Sequence, residues 1–128
     1  AVEPEGASRL SRHPRILIVD ASPESRDILQ TLLERQGAET FVATCARRAA
    51  ELAKCQLPDV IVFDEDSDES PAYEATRDLE LAASRSAIPI VVLGTARRHI
   101  SPFATGQLVS KPYHYGPLIR RIEELLGK

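Results

Sequence analysis

The chain has 128 residues, of which 43% are hydrophobic and 27% charged, and its formal net charge is −3. That length suits one domain around one core, and the balance is that of an ordinary globular protein. The mild charge argues against a general nucleic-acid partner, and no apolar run approaches the ~18 residues of a membrane span.

No charged-then-apolar start marks a signal peptide. Ala1 in place of methionine reads as a processed product or an excised domain. Cys45 and Cys55 fall on one predicted helix or at its ends. Ten residues of helix span about 15 Å, too far for a bridge, so both read as small apolar packing residues in a reducing cytoplasm.

Residues 1–14 show no hydrophobic period and contain Pro4, Gly6 and Pro14, which predicts a flexible tail or linker ahead of a domain over 15–128. Strand one spans 15–20. Ser22 is a suitable N-cap and Pro23 a suitable first residue for a helix that buries Ile28, Leu29, Leu32 and Leu33 and stops at Gly37. A short edge strand covers Glu39 to Thr44. Ala46 to Lys54 is an alanine-rich helix whose small side chains permit close approach to a sheet. Strand three is 59–63, and an acidic loop then leads to a helix over about 72–86. Ile88 to Leu93 is strand four. Residues 94–106 are ambiguous, because Pro102 and Gly106 oppose a long helix. Gln107 to Ser110 is strand five, and the last helix carries Leu118, Ile119, Ile122, Leu125 and Leu126 on one face. Strand alternating with helix predicts an α/β fold, a parallel sheet with helices on both faces.

Two of these strands end in an aspartate: Arg15-Ile16-Leu17-Ile18-Val19-Asp20 and Pro58-Asp59-Val60-Ile61-Val62-Phe63-Asp64. Carboxylates at the C-terminal ends of parallel strands fall in the crevice where open α/β sheets bind ligands. Two of them there can hold a divalent cation, and one can act as a nucleophile towards phosphate. Lys111, followed by Pro112, is a third strand-end group. Simple N-cap or solvated roles are the plainer readings of the two aspartates, as surface exposure is of the lysine.

Taken in order, the two aspartate-ended strands, Pro23-Glu24-Ser25-Arg26, Ile88-Pro89-Ile90-Val91-Val92-Leu93 and Lys111-Pro112 resemble the receiver domains of two-component response regulators. The resemblance covers nearly the whole chain. It implies a flavodoxin-like sheet of order 2-1-3-4-5, with Asp64 as the phospho-acceptor. It implies a Mg²⁺ held by Asp20, Asp64 and the main-chain carbonyl of Asp66. It also implies that Lys111 and a hydroxyl such as that of Thr95 bind the phosphoryl group, and that Pro112 follows a cis bond. A histidine kinase or phosphotransfer protein would be the donor, a downstream protein the reader, and a homodimer is left open.

The departures are as specific as the match. Ala21 stands where the family has a second acid, so one direct metal ligand is missing and Mg²⁺ binding should be weak. Ser22 replaces a frequent third acid. Gly94 occupies the place of the switch hydroxyl, with Thr95 one residue later unless a bulge brings it into line. The aromatic switch position is Leu108, and the stretch from strand four to Lys111 is short. These changes leave two functions in view: an atypical receiver that accepts phosphate on Asp64, or a degenerate, phosphorylation-independent binding module.

Other readings have less behind them. Asp64-Glu65-Asp66-Ser67 resembles the first motif of haloacid-dehalogenase-type phosphatases, but the late acidic metal pair of that family has no counterpart. Asp64, Asp66 and Asp68 alternate as in a calcium loop, yet Glu69 and Ala75 occupy its glycine and closing-acid positions. The eight acids from Asp64 to Glu80 read as a solvated surface or a docking patch for a basic partner. The pairs Arg47-Arg48, Arg97-Arg98 and Arg120-Arg121 form no nucleic-acid stripe, and Tyr113 and Tyr115 read as packing against the last helix.

Overall fold

The computed structural model describes residues 13–64, 73–94 and 107–127. Most of the expected tail, Asp66, Thr95 and most of the ambiguous stretch lie outside them. In chain order the elements are β1 (Arg15–Val19), α1 (Pro23–Arg35), β2 (Glu39–Ala43), α2 (Ala46–Gln56), β3 (Val60–Asp64), α3 (Tyr73–Arg85), β4 (Ile90–Gly94), β5 (Gln107–Ser110) and α4 (Tyr115–Leu125). The five strands form one sheet of order β2-β1-β3-β4-β5, and every neighbouring pair is parallel. The flavodoxin-like expectation therefore holds.

Side chains alternate across a strand, so each buried strand feeds two cores. Leu17, Val19, Ile61, Phe63, Ile90 and Val92 point to one face, where Ala46, Ala49, Ala50 and Ala53 of α2 meet Leu79, Ala82 and Ala83 of α3. Ile16, Ile18, Val60, Val62, Val91 and Leu93 point to the other, against Leu29 and Leu33 of α1 and Leu118 and Ile122 of α4. The alanines are why α2 can lie close to the sheet. Strands buried on both faces need near-continuous apolar runs, which β1, β3 and β4 have.

The N-terminal end of the sheet is tied by one residue. The Arg15 amide donates to Asp59 Oδ2 at 2.8 Å, and the Asp59 amide donates back to the Arg15 carbonyl at 2.6 Å. The Arg15 guanidinium donates to Gln56 Oε1 at 2.8 Å and lies 5.0 Å from the centre of the Phe41 ring. β1, β2, β3 and the end of α2 are thus joined at one end, while the opposite end carries the charged groups.

Three expectations need correcting. Ile28 is 46% exposed; the buried stripe of α1 is Leu29 and Leu33, four apart, with Leu32 at its margin. Cys55 is exposed, so only Cys45 has partial cover. Ser22 is the N-cap residue by backbone conformation, but its side chain makes no capping bond. Gly37 does end α1, at φ 92°, where its amide donates to the Glu34 carbonyl.

Leu29→Ala should lower the unfolding free energy by about 2–4 kcal/mol, the usual cost of emptying a core site. Ile28→Ala should change it by less than about 1 kcal/mol. Urea unfolding followed by far-ultraviolet circular dichroism measures both, and equal losses would contradict the orientation of α1.

Candidate functional site

The register brings the charged groups to one line. Val19 pairs with Phe63, so Asp20 and Asp64, each the next residue, leave adjacent strands side by side. The Asp20 amide still donates to the Ala43 carbonyl at 3.0 Å, which keeps it in the sheet. Both aspartates are buried, at 4% and 5% exposure. Such carboxylates need compensation, because burial penalises the charged form.

Lys111 supplies it for Asp64. Its ammonium donates to both carboxylate oxygens, at 2.7 Å to Oδ1 and 2.9 Å to Oδ2. The lysine starts two strands away, at the end of β5, where its amide donates to the Gly94 carbonyl at 2.9 Å. Two strand spacings are about 9.6 Å, a span for which a long side chain is needed. Gly94 ends the intervening strand and adds no side chain there. The Lys111–Pro112 peptide bond is cis, as expected.

Asp20 is held differently. Its Oδ1 accepts the Ser22 amide at 2.8 Å, and its carbonyl accepts Arg26 Nη1 at 3.1 Å. Ser22 therefore contributes a backbone donor rather than a metal ligand, and Arg26 braces the start of α1 against the end of β1. Neither contact was read from the sequence, although an aspartate two residues before an N-cap is a familiar signal for such a turn.

The donor set suits a Mg²⁺ ion: two hard carboxylates, adjacent and buried, carry more negative charge than one lysine offsets. Mg²⁺ is commonly bound by one or two carboxylates with waters and phosphate oxygens completing the shell. Among the described residues no group of three or more histidine, cysteine or acidic side chains is placed to hold a metal. Ala21, the residue after Asp20, adds no carboxylate to the pair.

Of the remaining sequence candidates, Asp66 and Thr95 fall outside the described residues. β4 runs without a bulge through Gly94, which pairs with Ser110, so the glycine takes the place directly after Leu93. Leu108 holds its register position in β5, opposite Val92. Tyr113, assigned by sequence only to packing, belongs near the site. Its phenol is pushed well above the usual range by burial first, then by the neighbouring Tyr115 and by the Asp64 and Asp20 charges.

Comparison with known proteins agrees with this geometry. No family model matches the chain. Protein PilH of Pseudomonas aeruginosa is 36% identical over 81 residues, 63% of this chain and 67% of PilH. This chain belongs to the response-regulator receiver domains. Its function lies in two-component signal transduction. The receiver is also 29% identical over 118 residues to the KDP operon transcriptional regulatory protein KdpE of Escherichia coli, covering 88% of this chain but only 51% of KdpE. It superposes on the receiver domain of sensor histidine kinase PA1611 from Pseudomonas aeruginosa with a TM-score of 0.74 at 21% identity, over 91% of this chain and 99% of that one. That structure holds a magnesium ion in its active-site cleft. Receiver domains are in general signalling modules rather than enzymes. Among the described residues no helix of this receiver is long and apolar enough to cross a membrane.

Two outcomes test the electrostatics. Lys111→Met leaves the buried Asp64 without its ammonium and should cost about 2–4 kcal/mol of stability in urea unfolding. The raised Tyr113 phenol favours the fold below the ordinary phenol range, near pH ~10, and that contribution is lost as pH rises through its folded value. Thermal melts should therefore fall less steeply with alkaline pH in Tyr113→Phe than in the parent.

Proposed function

We propose that this receiver accepts a phosphoryl group on Asp64 from a histidine kinase or phosphotransfer partner, with the help of a weakly bound Mg²⁺. The observation that carries this reading is the pairing of Lys111 Nζ with both oxygens of the buried Asp64 carboxylate. A structural ion pair would serve equally well on the surface at little desolvation cost. Here its carboxylate is buried and its lysine partly so, at the C-terminal ends of parallel strands, where such sheets bind ligands.

The transfer needs little from the protein beyond positioning and charge. An Asp64 oxygen forms the new bond to phosphorus as the donor's bond to phosphorus breaks and its electron pair leaves with the donor. Lys111, already at that carboxylate, is placed to follow the charge onto the phosphoryl oxygens. Asp20, Asp64 and the Asp66 carbonyl are the groups that would hold Mg²⁺. When bound, the ion neutralises phosphoryl oxygens as charge builds on them. Thr95 would add a hydroxyl donor, and Leu108 marks the switch position in β5. Residues 15–128 form the receiver and 1–14 the segment leading into it. Output passes to a protein partner through surfaces next to β5 and α4.

A second reading has its own observation. Ala21 removes a carboxylate from the metal site, which favours a module that binds its partner without phosphate.

Incubation with Mg²⁺ and a small acyl phosphate, read by intact mass, separates the two. The first reading expects one phosphoryl adduct on the parent and none on Asp64→Asn. No adduct at high Mg²⁺, beside a standard receiver that labels, favours the second. Ala21→Asp should lower the Mg²⁺ concentration needed for half-maximal labelling by roughly tenfold, since a charge-assisted contact contributes about 1.5–3 kcal/mol.

A further inference from the structure

β2 ends the sheet, and its bonds to β1 show which of its groups face outward. The Glu39 amide donates to the Pro14 carbonyl at 2.8 Å, and the Ala43 carbonyl accepts the Asp20 amide at 3.0 Å. In a strand the amide and carbonyl of one residue point to the same side, and successive residues alternate. Glu39, Phe41 and Ala43 therefore bond to β1, while Thr40 and Val42 turn their amides and carbonyls to the outer edge. Among the described residues no strand pairs with that edge.

Such edges are usually blunted by a bulge, a proline or a lysine. β2 has none of these. Its register with β1 is unbroken from Glu39 to Ala43, and Thr40, Phe41 and Val42 are strong strand formers. Val42 is 39% exposed, and Phe41 is only partly covered. Charge divides the edge. At its start stand the exposed Glu39 and, from α1, Glu34, whose carboxylate accepts the Thr40 hydroxyl at 2.8 Å. Its end leads through Thr44 and Cys45 to Arg47 and Arg48, both exposed in the first turn of α2.

We propose that this edge joins two copies of the chain by antiparallel β2–β2 pairing about a two-fold axis at Phe41. Thr40 of one copy and Val42 of the other exchange amide-to-carbonyl bonds, and the axis repeats the exchange. The two Phe41 residues then oppose each other as a non-hydrogen-bonded pair, whose side chains lie closer, on the α2 side of the sheet. Thr40 and Val42 meet on the α1 side. The antiparallel direction sets the acidic start of each strand against the basic end of the other. A parallel pairing would set acid against acid and arginine against arginine. Association through β2 leaves β5, at the opposite edge, uncovered. It requires no phosphate on Asp64 and stands apart from the acceptor reading.

Sedimentation equilibrium of the full chain, from micromolar to millimolar concentration, should show a monomer–dimer equilibrium with no larger species. Val42→Pro removes one outward amide from each copy and keeps every bond to β1. It should raise the dissociation constant about tenfold or more, with far-ultraviolet circular dichroism confirming the fold. Glu39→Arg and Arg47→Glu should each weaken the dimer a few-fold, and the double variant should recover most of the loss. Within one copy these residues lie at opposite ends of β2, so coupling between them arises across the axis. A chain that stays monomeric overturns the proposal, as does open-ended association. So do a dimer indifferent to a folded Val42→Pro and charge variants whose effects merely add. If Val42→Pro does not fold, the charge cycle alone decides.

Discussion

The ion pair between Lys111 and Asp64 is the constraint around which this domain is arranged. Ammonium and carboxylate start on strands separated by β4, and the pair forms only if β3, β4 and β5 end level. A slip of one residue in a parallel strand would turn its side chains to the opposite face and break the contact. The continuous apolar runs of β3 and β4 oppose such a slip, since both faces of those strands are covered. Hydrophobic register thus sets electrostatic geometry.

The two ends of the sheet divide the labour. At the N-terminal end Arg15 and Asp59 exchange hydrogen bonds, and Gln56 and Phe41 hold the guanidinium. At the C-terminal end two carboxylates are buried with one ammonium, an arrangement that desolvation makes a poor source of stability. Stability from packing is spread over both cores, so the charged end can carry groups that a purely structural design would replace with apolar ones. Buried charge in a strand-end crevice is for that reason a mark of function in this domain.

The sheet order and both cores were legible in the sequence because strands buried on two faces have no alternative to long apolar runs. The site's main members were legible for a related reason: Asp20, Asp64 and Lys111 each interrupt such a run at its end. What could not be read depends on geometry across space. Ile28 satisfies the helical period as well as Leu29 does, and only the direction in which α1 faces the sheet separates them. Tyr113 looked like packing because nothing in its spacing shows the Asp64 charge beyond Lys111. Ser22 was expected to cap α1 through its hydroxyl, yet Asp20 claims its amide instead. Gly94 pairs with Ser110 in an unbroken strand, and Thr95, the other candidate for the hydroxyl position, lies outside the described residues.

Ala21 bears on the charge balance of the site as well as on its proposed metal ligands. A site with three buried acids and one lysine is strongly anionic, and its fold leans on a bound cation. With Ala21 the described acids are Asp20 and Asp64, set against Lys111, the Ser22 amide and the Arg26 guanidinium at the Asp20 carbonyl. That assembly is closer to balance without metal. Ala21 therefore leaves the site without the added repulsion that a further carboxylate would bring. The two proposed readings are then two uses of one electrostatic change, and both start from the same pair of buried carboxylates.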